Sequence, residues 1–252
     1  MSAHRIPQRR GLLSALAAQV ADFVFESVDE EVEPQPKVLQ PNPVVAVVAA
    51  ASKCGATTVA RLLAAELASR ADGAAIATSL RPARRSAPPS RAAIRLATGL
   101  AGAAEARPCG RLCIVRLRLE TTGGDGMHTS PPGATAAETA ALINAARYLA
   151  PVVLDLPADG SAAGSAGIAD QVVVIAGAGS EPALLDAVAG MIDGDALKVV
   201  NRMTEPGEWQ TRGVLCLPDS RIAARAAAMG TRPLGPLGAA IAGLADNLEA
   251  SR

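Results

Sequence analysis

Aromatic side chains are almost missing from this sequence: its 252 residues include two phenylalanines, one tryptophan and one tyrosine. Half of the residues are nonetheless hydrophobic, chiefly alanine, valine and leucine, so a core of any size must be packed tightly from small groups. Net charge is missing as well, because 24 Lys and Arg balance 24 Asp and Glu. No global field steers the chain towards nucleic acid, and DNA as a partner finds no support in bulk charge. Nor is there an uninterrupted apolar run of about 18 residues, which argues against a membrane-spanning helix. The first residues lack the continuous apolar stretch of a secretory signal, and the cysteines are only four, Cys54, Cys109, Cys113 and Cys216. The expectation is a cytoplasmic chain with reduced thiols.

Metal chemistry is poorly supplied. His4 and His128 have no partners at ligand spacing. Cys109 and Cys113 form a C-x-x-x-C pair that could serve a cluster shared across a dimer, but Cys113 falls inside an apolar strand pattern and belongs to the core.

What is present divides the chain in two. Residues 9–28 place Leu12, Leu13, Leu16, Val20, Phe23 and Val24 on one face at helical spacing, behind Arg5, Arg9 and Arg10. Asp29, Glu30, Glu31 and Glu33 follow, then Pro34, Pro36, Pro41 and Pro43, a composition that resists folding. Residues 1–42 are thus expected to be an amphipathic helix with a proline-rich acidic linker, and residues 43–252 a single large domain. Three readings of the helix stay open: packing back on its own domain, docking in a groove of a protein partner, or lying on a membrane surface. Few basic residues precede it and acids follow, so stable membrane anchoring by this helix alone is not expected.

From Val44 onwards, short apolar runs alternate with alanine-rich helical stretches. The runs are 44–49, 74–78, 112–117, 152–156, 171–175, 197–201 and 214–217. Continuous rather than alternating apolarity implies strands buried on both faces, as in a parallel sheet covered by helices. The pattern predicts an α/β domain with a doubly wound, mainly parallel sheet of about seven strands in a three-layer α/β/α arrangement. Residues 121–133, rich in glycine and proline, are expected to be a long loop.

One junction carries chemistry. Strand 44–49 runs into Ala51-Ser52-Lys53-Cys54-Gly55-Ala56-Thr57-Thr58 and then into a helix. Backbone N–H groups of such a turn, with the positive end of the following helix, form an anion site needing no charged side chain. In an intact phosphate loop a lysine before the Ser/Thr reaches the β- and γ-phosphates and the hydroxyl ligates Mg²⁺. Here Gly55 and Thr57 remain and Ala56 occupies the lysine position. Taken alone, the turn reads equally well as a helix start capped by Thr57 or Thr58.

Further segments fall in an order that resembles the ParA/MinD family of P-loop ATPases, whose deviant loop reads K-G-G-x-G-K-[ST]-T. Residues 148–158, with Asp155-Leu156-Pro157, look like the family's switch II strand. Val199-Val200-Asn201-Arg202 resembles the strand end whose asparagine reads adenine, and 214–220, with Pro218-Asp219, resembles the terminal strand and adenine loop. The resemblance implies ATP and Mg²⁺ as cofactors, held by Lys53, Cys54, Gly55, Ala56, Thr57, Thr58, Asn201, Arg202, Pro218 and Asp219. Thr57 and Asp155 would serve the metal, and Asp155 would orient the attacking water if the site is active. It also implies a homodimer formed through the nucleotide face. Asp155 has a plainer reading as a strand-end carboxylate bound by backbone amides, and Asn201, Pro218 and Asp219 as ordinary turn chemistry.

The departures matter as much. Ala51 stands where the family has its signature lysine, Ala56 where it has the second, and Thr78-Ser79-Leu80-Arg81-Pro82 lacks the usual acid. The loop Gly55-Ala56-Thr57-Thr58 is similar to the atypical TadZ/CpaE branch, which positions pilus-assembly machinery. The resulting expectation is a degenerate nucleotide-binding switch or scaffold that localises a partner assembly with little or no hydrolysis. The alternatives are an active ATPase using Lys53 and a nucleotide-free scaffold. The basic stretch Arg81, Arg84, Arg85, Arg91 and Arg95 has no interleaved aromatic for base stacking, and its default reading is a solvated face.

Overall fold

The computed structural model describes residues 40–71, 73, 75–78, 87–101, 104–116, 136–157, 166–192, 195–205, 209 and 212–251. The amphipathic helix expected over 9–28, the loop 121–133 and the segment 79–82 lie outside the described residues.

Valine-rich runs make the centre of the sheet. β1 (Val44–Ala49), β5 (Val152–Leu156) and β6 (Gln171–Gly177) pair in parallel, with Val47 opposite Asp155 on one side and Val173 on the other. β2 (Ala75–Thr78) and β4 (Leu112–Arg116) extend the sheet beyond β5, and β7 (Leu197–Met203) and β8 (Leu215–Pro218) extend it beyond β6. Branched side chains fill both faces of these strands, which is why their apolarity is continuous. All seven expected strands are present, and one more was not foreseen. β3 (Glu105–Cys109) pairs antiparallel with β4 and closes one edge, giving eight strands in the order β3-β4-β2-β5-β1-β6-β7-β8. Its sequence, Glu-Ala-Arg-Pro-Cys, has charge and proline where an interior strand has valine, and only an edge tolerates both.

Alternation along the strands builds two cores. Val45, Val47, Val153 and Val173 face α1 (Ala56–Arg70), α5 (Ala223–Met229) and α6 (Gly235–Ala250). Val44, Ala46, Leu154 and Val174 face α2 (Arg91–Leu100), α3 (Ala136–Ala146) and α4 (Pro182–Gly190), with Trp209 buried among them. The sheet is therefore doubly wound, as the alternation of strand and helix predicts.

α1 is buried along most of its length, and its alanines let it lie close to the strands. Arg70 secures its far end, donating to Ala242 O at 2.9 Å and pairing with Asp246, Glu249 and the buried Glu66. Glu66 is in turn 2.5 Å from Arg232 Nε, so the carboxylate is not buried alone. Ser90 caps α2, its Oγ accepting from Ala93 N at 3.1 Å. At the start of β1, Arg147 donates to both oxygens of Asp170 at 2.9 and 2.7 Å, and Asp170 accepts from Val44 N at 2.9 Å. Among the described residues no helix is long and apolar enough to cross a membrane.

Candidate nucleotide site

β1 lies between β5 and β6, and the strands that follow it occupy first one side of the sheet and then the other. Such a reversal leaves a crevice at the carboxyl ends of the strands, and the β1–α1 loop, residues 50–55, lies there. Ala50 N donates to Ile175 O at 2.8 Å, which continues the ladder into the loop. Lys53 then takes a φ of 63°, and Gly55 a φ of 90° with ψ of 15°.

Gly55 is needed for its φ and for its lack of a side chain, because a Cβ there would collide with Asn201 Nδ2. The Asn201 amide is buried and donates to Cys54 O at 3.0 Å, clamping the loop onto the end of β7. β7 and β8 pair irregularly between Val200 and Met203, and in that irregularity Arg202 adopts a φ of 65°. Its Nε lies 3.7 Å from where the Gly55 Cβ would be. Gly177 backs the loop from β6: a Cβ on it would come within 3.7 Å of Cys54 Cα, and its N–H donates to Ser180 Oγ at 3.1 Å.

A cleft of about 60 Å³ opens beside the loop. Thr58, Asn201, Arg202, Pro218, Asp219 and Ser220 line it, together with Ala223 and Ala224 of α5. Asp219 N donates to Met203 O at 2.9 Å, which sets the β8 turn against the end of β7. α1 begins at the same place with no side-chain cap and no acid in its first turn, so its positive end meets no carboxylate of its own helix.

The positions singled out in the sequence divide accordingly. Thr58, Asn201, Arg202, Pro218 and Asp219 share one cleft, with Cys54 and Gly55 in contact with it through Asn201 and Arg202. Lys53 is exposed, Thr57 is half-buried, and Ala56 turns its methyl into the α1-side core. Position 56 therefore supplies no amine to the loop, where an intact phosphate loop has its lysine. Asp155 is half-buried on β5, across β1 from the cleft. Ser220 ends the segment 214–220 that resembles the adenine loop, whereas Gly177 and the two α5 alanines were not anticipated. Of these, only Gly177 had a signal, a glycine ending an apolar strand where another backbone comes close.

Cys109 and Cys113 lie on opposite faces of the sheet and cannot share a ligand: Cys109 Sγ donates to Ala228 O at 3.3 Å, while burial pushes the Cys113 thiol up to about 12. Among the described residues no group of three or more His, Cys, Asp or Glu is placed to hold a metal ion.

Comparison with solved structures is decisive for the fold. The ParA family ATPase of Chlorobium tepidum TLS superposes with a TM-score of 0.55 at 14% identity, covering 82% of this chain and 99% of that one. The chain shares its fold with the ParA and MinD ATPases. The septum site-determining protein MinD of Pyrococcus horikoshii OT3, complexed with Mg-ADP, matches with a TM-score of 0.55 at 15% identity, covering 82% of this chain and 96% of that chain. The MinC:MinD cell division complex of Aquifex aeolicus matches with a TM-score of 0.52 at 13% identity, again over 82% of this chain and 96% of that chain. No family model and no curated protein matches the sequence. At such identities the likeness is one of architecture, and activity has to be argued from the site.

Proposed function

We propose that this chain is a ParA/MinD-like nucleotide-binding regulator that holds an adenine nucleotide at the β1–α1 loop, hydrolyses it slowly or not at all, and localises or regulates a partner assembly. The carrying observation is the convergence of Thr58, Asn201, Arg202, Pro218 and Asp219 on one cleft beside an uncapped helix start. The donors suit the ligand: N–H groups at the start of α1 for phosphate, and an amide and a carboxylate for a base edge. Thr57 and Asp155 offer hard oxygen donors of the kind Mg²⁺ takes, and the ion would neutralise phosphate charge there. The buried Ala56 methyl argues against turnover, because the group that stabilises the transferring phosphoryl oxygens has no substitute at that position.

The Mg-ADP complex of the Pyrococcus MinD supports the cofactor assignment by analogy. The MinC complex of the Aquifex MinD supports a protein partner in the same way. We extend this to a homodimer formed through the nucleotide face and to a cytoplasmic role of the TadZ/CpaE kind in pilus or secretion machinery, with any association with a membrane or cell pole made through the partner. The N-terminal segment is a second candidate for partner contact.

A thermal-shift titration tests the reading. At roughly 100 times the dissociation constant Mg-ATP adds about 2.7 kcal/mol of stability. Thr57→Ala should diminish that shift, and no shift in the unaltered protein leaves a nucleotide-free scaffold. An active enzyme is the second reading, favoured by the exposed Lys53 in the loop. It requires phosphate release above background that Lys53→Ala abolishes.

A further inference from the structure

Only two non-glycine residues among the described residues have positive φ, Lys53 at 63° and Arg202 at 65°. Both are cations, and both stand beside Gly55: Lys53 two residues before it, Arg202 with its Nε 3.7 Å from the glycine's missing Cβ. Both side chains are exposed. Neither forms an ion pair or hydrogen bond with any described residue; Asp219 lines the same cleft as Arg202 and makes no ion pair with it. Left-handed backbone costs a branched or long L-residue free energy that glycine would not lose. Two strained cations, unpartnered among the described residues, thus stand at the loop that lacks both lysines of the family it resembles.

We propose that Arg202 and Lys53 together replace the missing loop lysines and make the site a receptor for the diphosphate of a nucleotide, indifferent to a γ-phosphate. This rests on the nucleotide-binding reading above and names what that site recognises. The placement determines the preference. Arg202 lies where the cleft meets the loop, on the side of the base pocket, and its planar fork can hold two phosphate oxygens at once. The position from which a lysine would reach the γ-phosphate carries the buried methyl of Ala56. The chain would then register whether a nucleotide is bound and not whether it has been hydrolysed.

Glycine at each position separates charge from backbone. Calorimetric titration of the full chain with adenosine, AMP, ADP and ATP, with and without Mg²⁺, is compared for the unaltered protein, Arg202→Gly and Lys53→Gly. ADP and ATP are expected within about threefold of each other and AMP at least tenfold weaker, the loss of one charge-assisted phosphate contact. Arg202→Gly should weaken ADP about tenfold and Lys53→Gly by a smaller factor. Both variants should melt no lower than the unaltered protein without ligand, since glycine relieves the strain. Unchanged ADP affinity in both variants overturns the proposal while leaving nucleotide binding intact, as does ATP binding tenfold tighter than ADP. Failure of the unaltered protein to bind any of the four overturns both readings.

Discussion

Gly55→Ala puts the geometry of the loop to a quantitative test. An L-residue at a φ of 90° is strained by roughly 1–2 kcal/mol. The new methyl would also occupy the place of Asn201 Nδ2, forcing the amide off Cys54 O. Breaking that buried bond adds roughly 1–3 kcal/mol, because Cys54 O is left without its donor. The sum is about 3 kcal/mol, a fall of roughly 6–12 °C in melting temperature for a domain of this size. Urea unfolding should register it as a lower midpoint with an unchanged slope. The origin of the loss can be separated with Asn201→Ala. In that background Gly55→Ala has no amide to displace and should cost only the backbone strain, so the double-mutant cycle should show a coupling of about 1–2 kcal/mol. A loss below about 1 kcal/mol for Gly55→Ala, or strict additivity of the two changes, would refute the clamp.

Other substitutions test the frame around the site. Asp170→Ala removes the bidentate partner of Arg147 and the acceptor of Val44 N, and should cost about 2 kcal/mol in urea unfolding, moderated because Asp170 is 31% exposed. Gly230→Ala would push a Cβ into Cys109 O at a φ of 59°, so it should lower the melting temperature by more than any exposed alanine substitution on α5, such as Arg225→Ala. Cysteine alkylation followed by mass spectrometry at pH about 8 should modify the half-buried Cys216 before Cys113, whose thiol is buried and pushed up to about 12. The same raised value means that Cys113 supports folding fully below the ordinary thiol range near 9, and that this contribution is lost as pH climbs towards about 12. Stability measured from pH 8 to 11 should fall less in Cys113→Ala than in the unaltered protein.

By itself the sequence settled the class of architecture. Seven apolar runs, each too short for a helix and most of them followed by alanine-rich stretches, leave little but a parallel sheet between helices, because backbone pairing and burial on both faces are local demands on composition. The position of the loop, after β1 and before α1, was legible for the same reason. The edge strand Glu105–Cys109 was not, since its proline and charges carry no apolar period and only pairing with β4 makes it a strand. What tertiary structure alone decided was the company each residue keeps. Asn201 and Gly55 are 146 positions apart, and nothing local requires one to be small because the other is an amide. Arg202 stands out in the sequence for its neighbour Asn201, but its placement against the loop, without a side-chain partner among the described residues, depends on an irregular pairing of β7 with β8. Long-range contacts of this kind arise only when the sheet has closed, and they distinguish a turn that starts a helix from a loop held open beside a cleft.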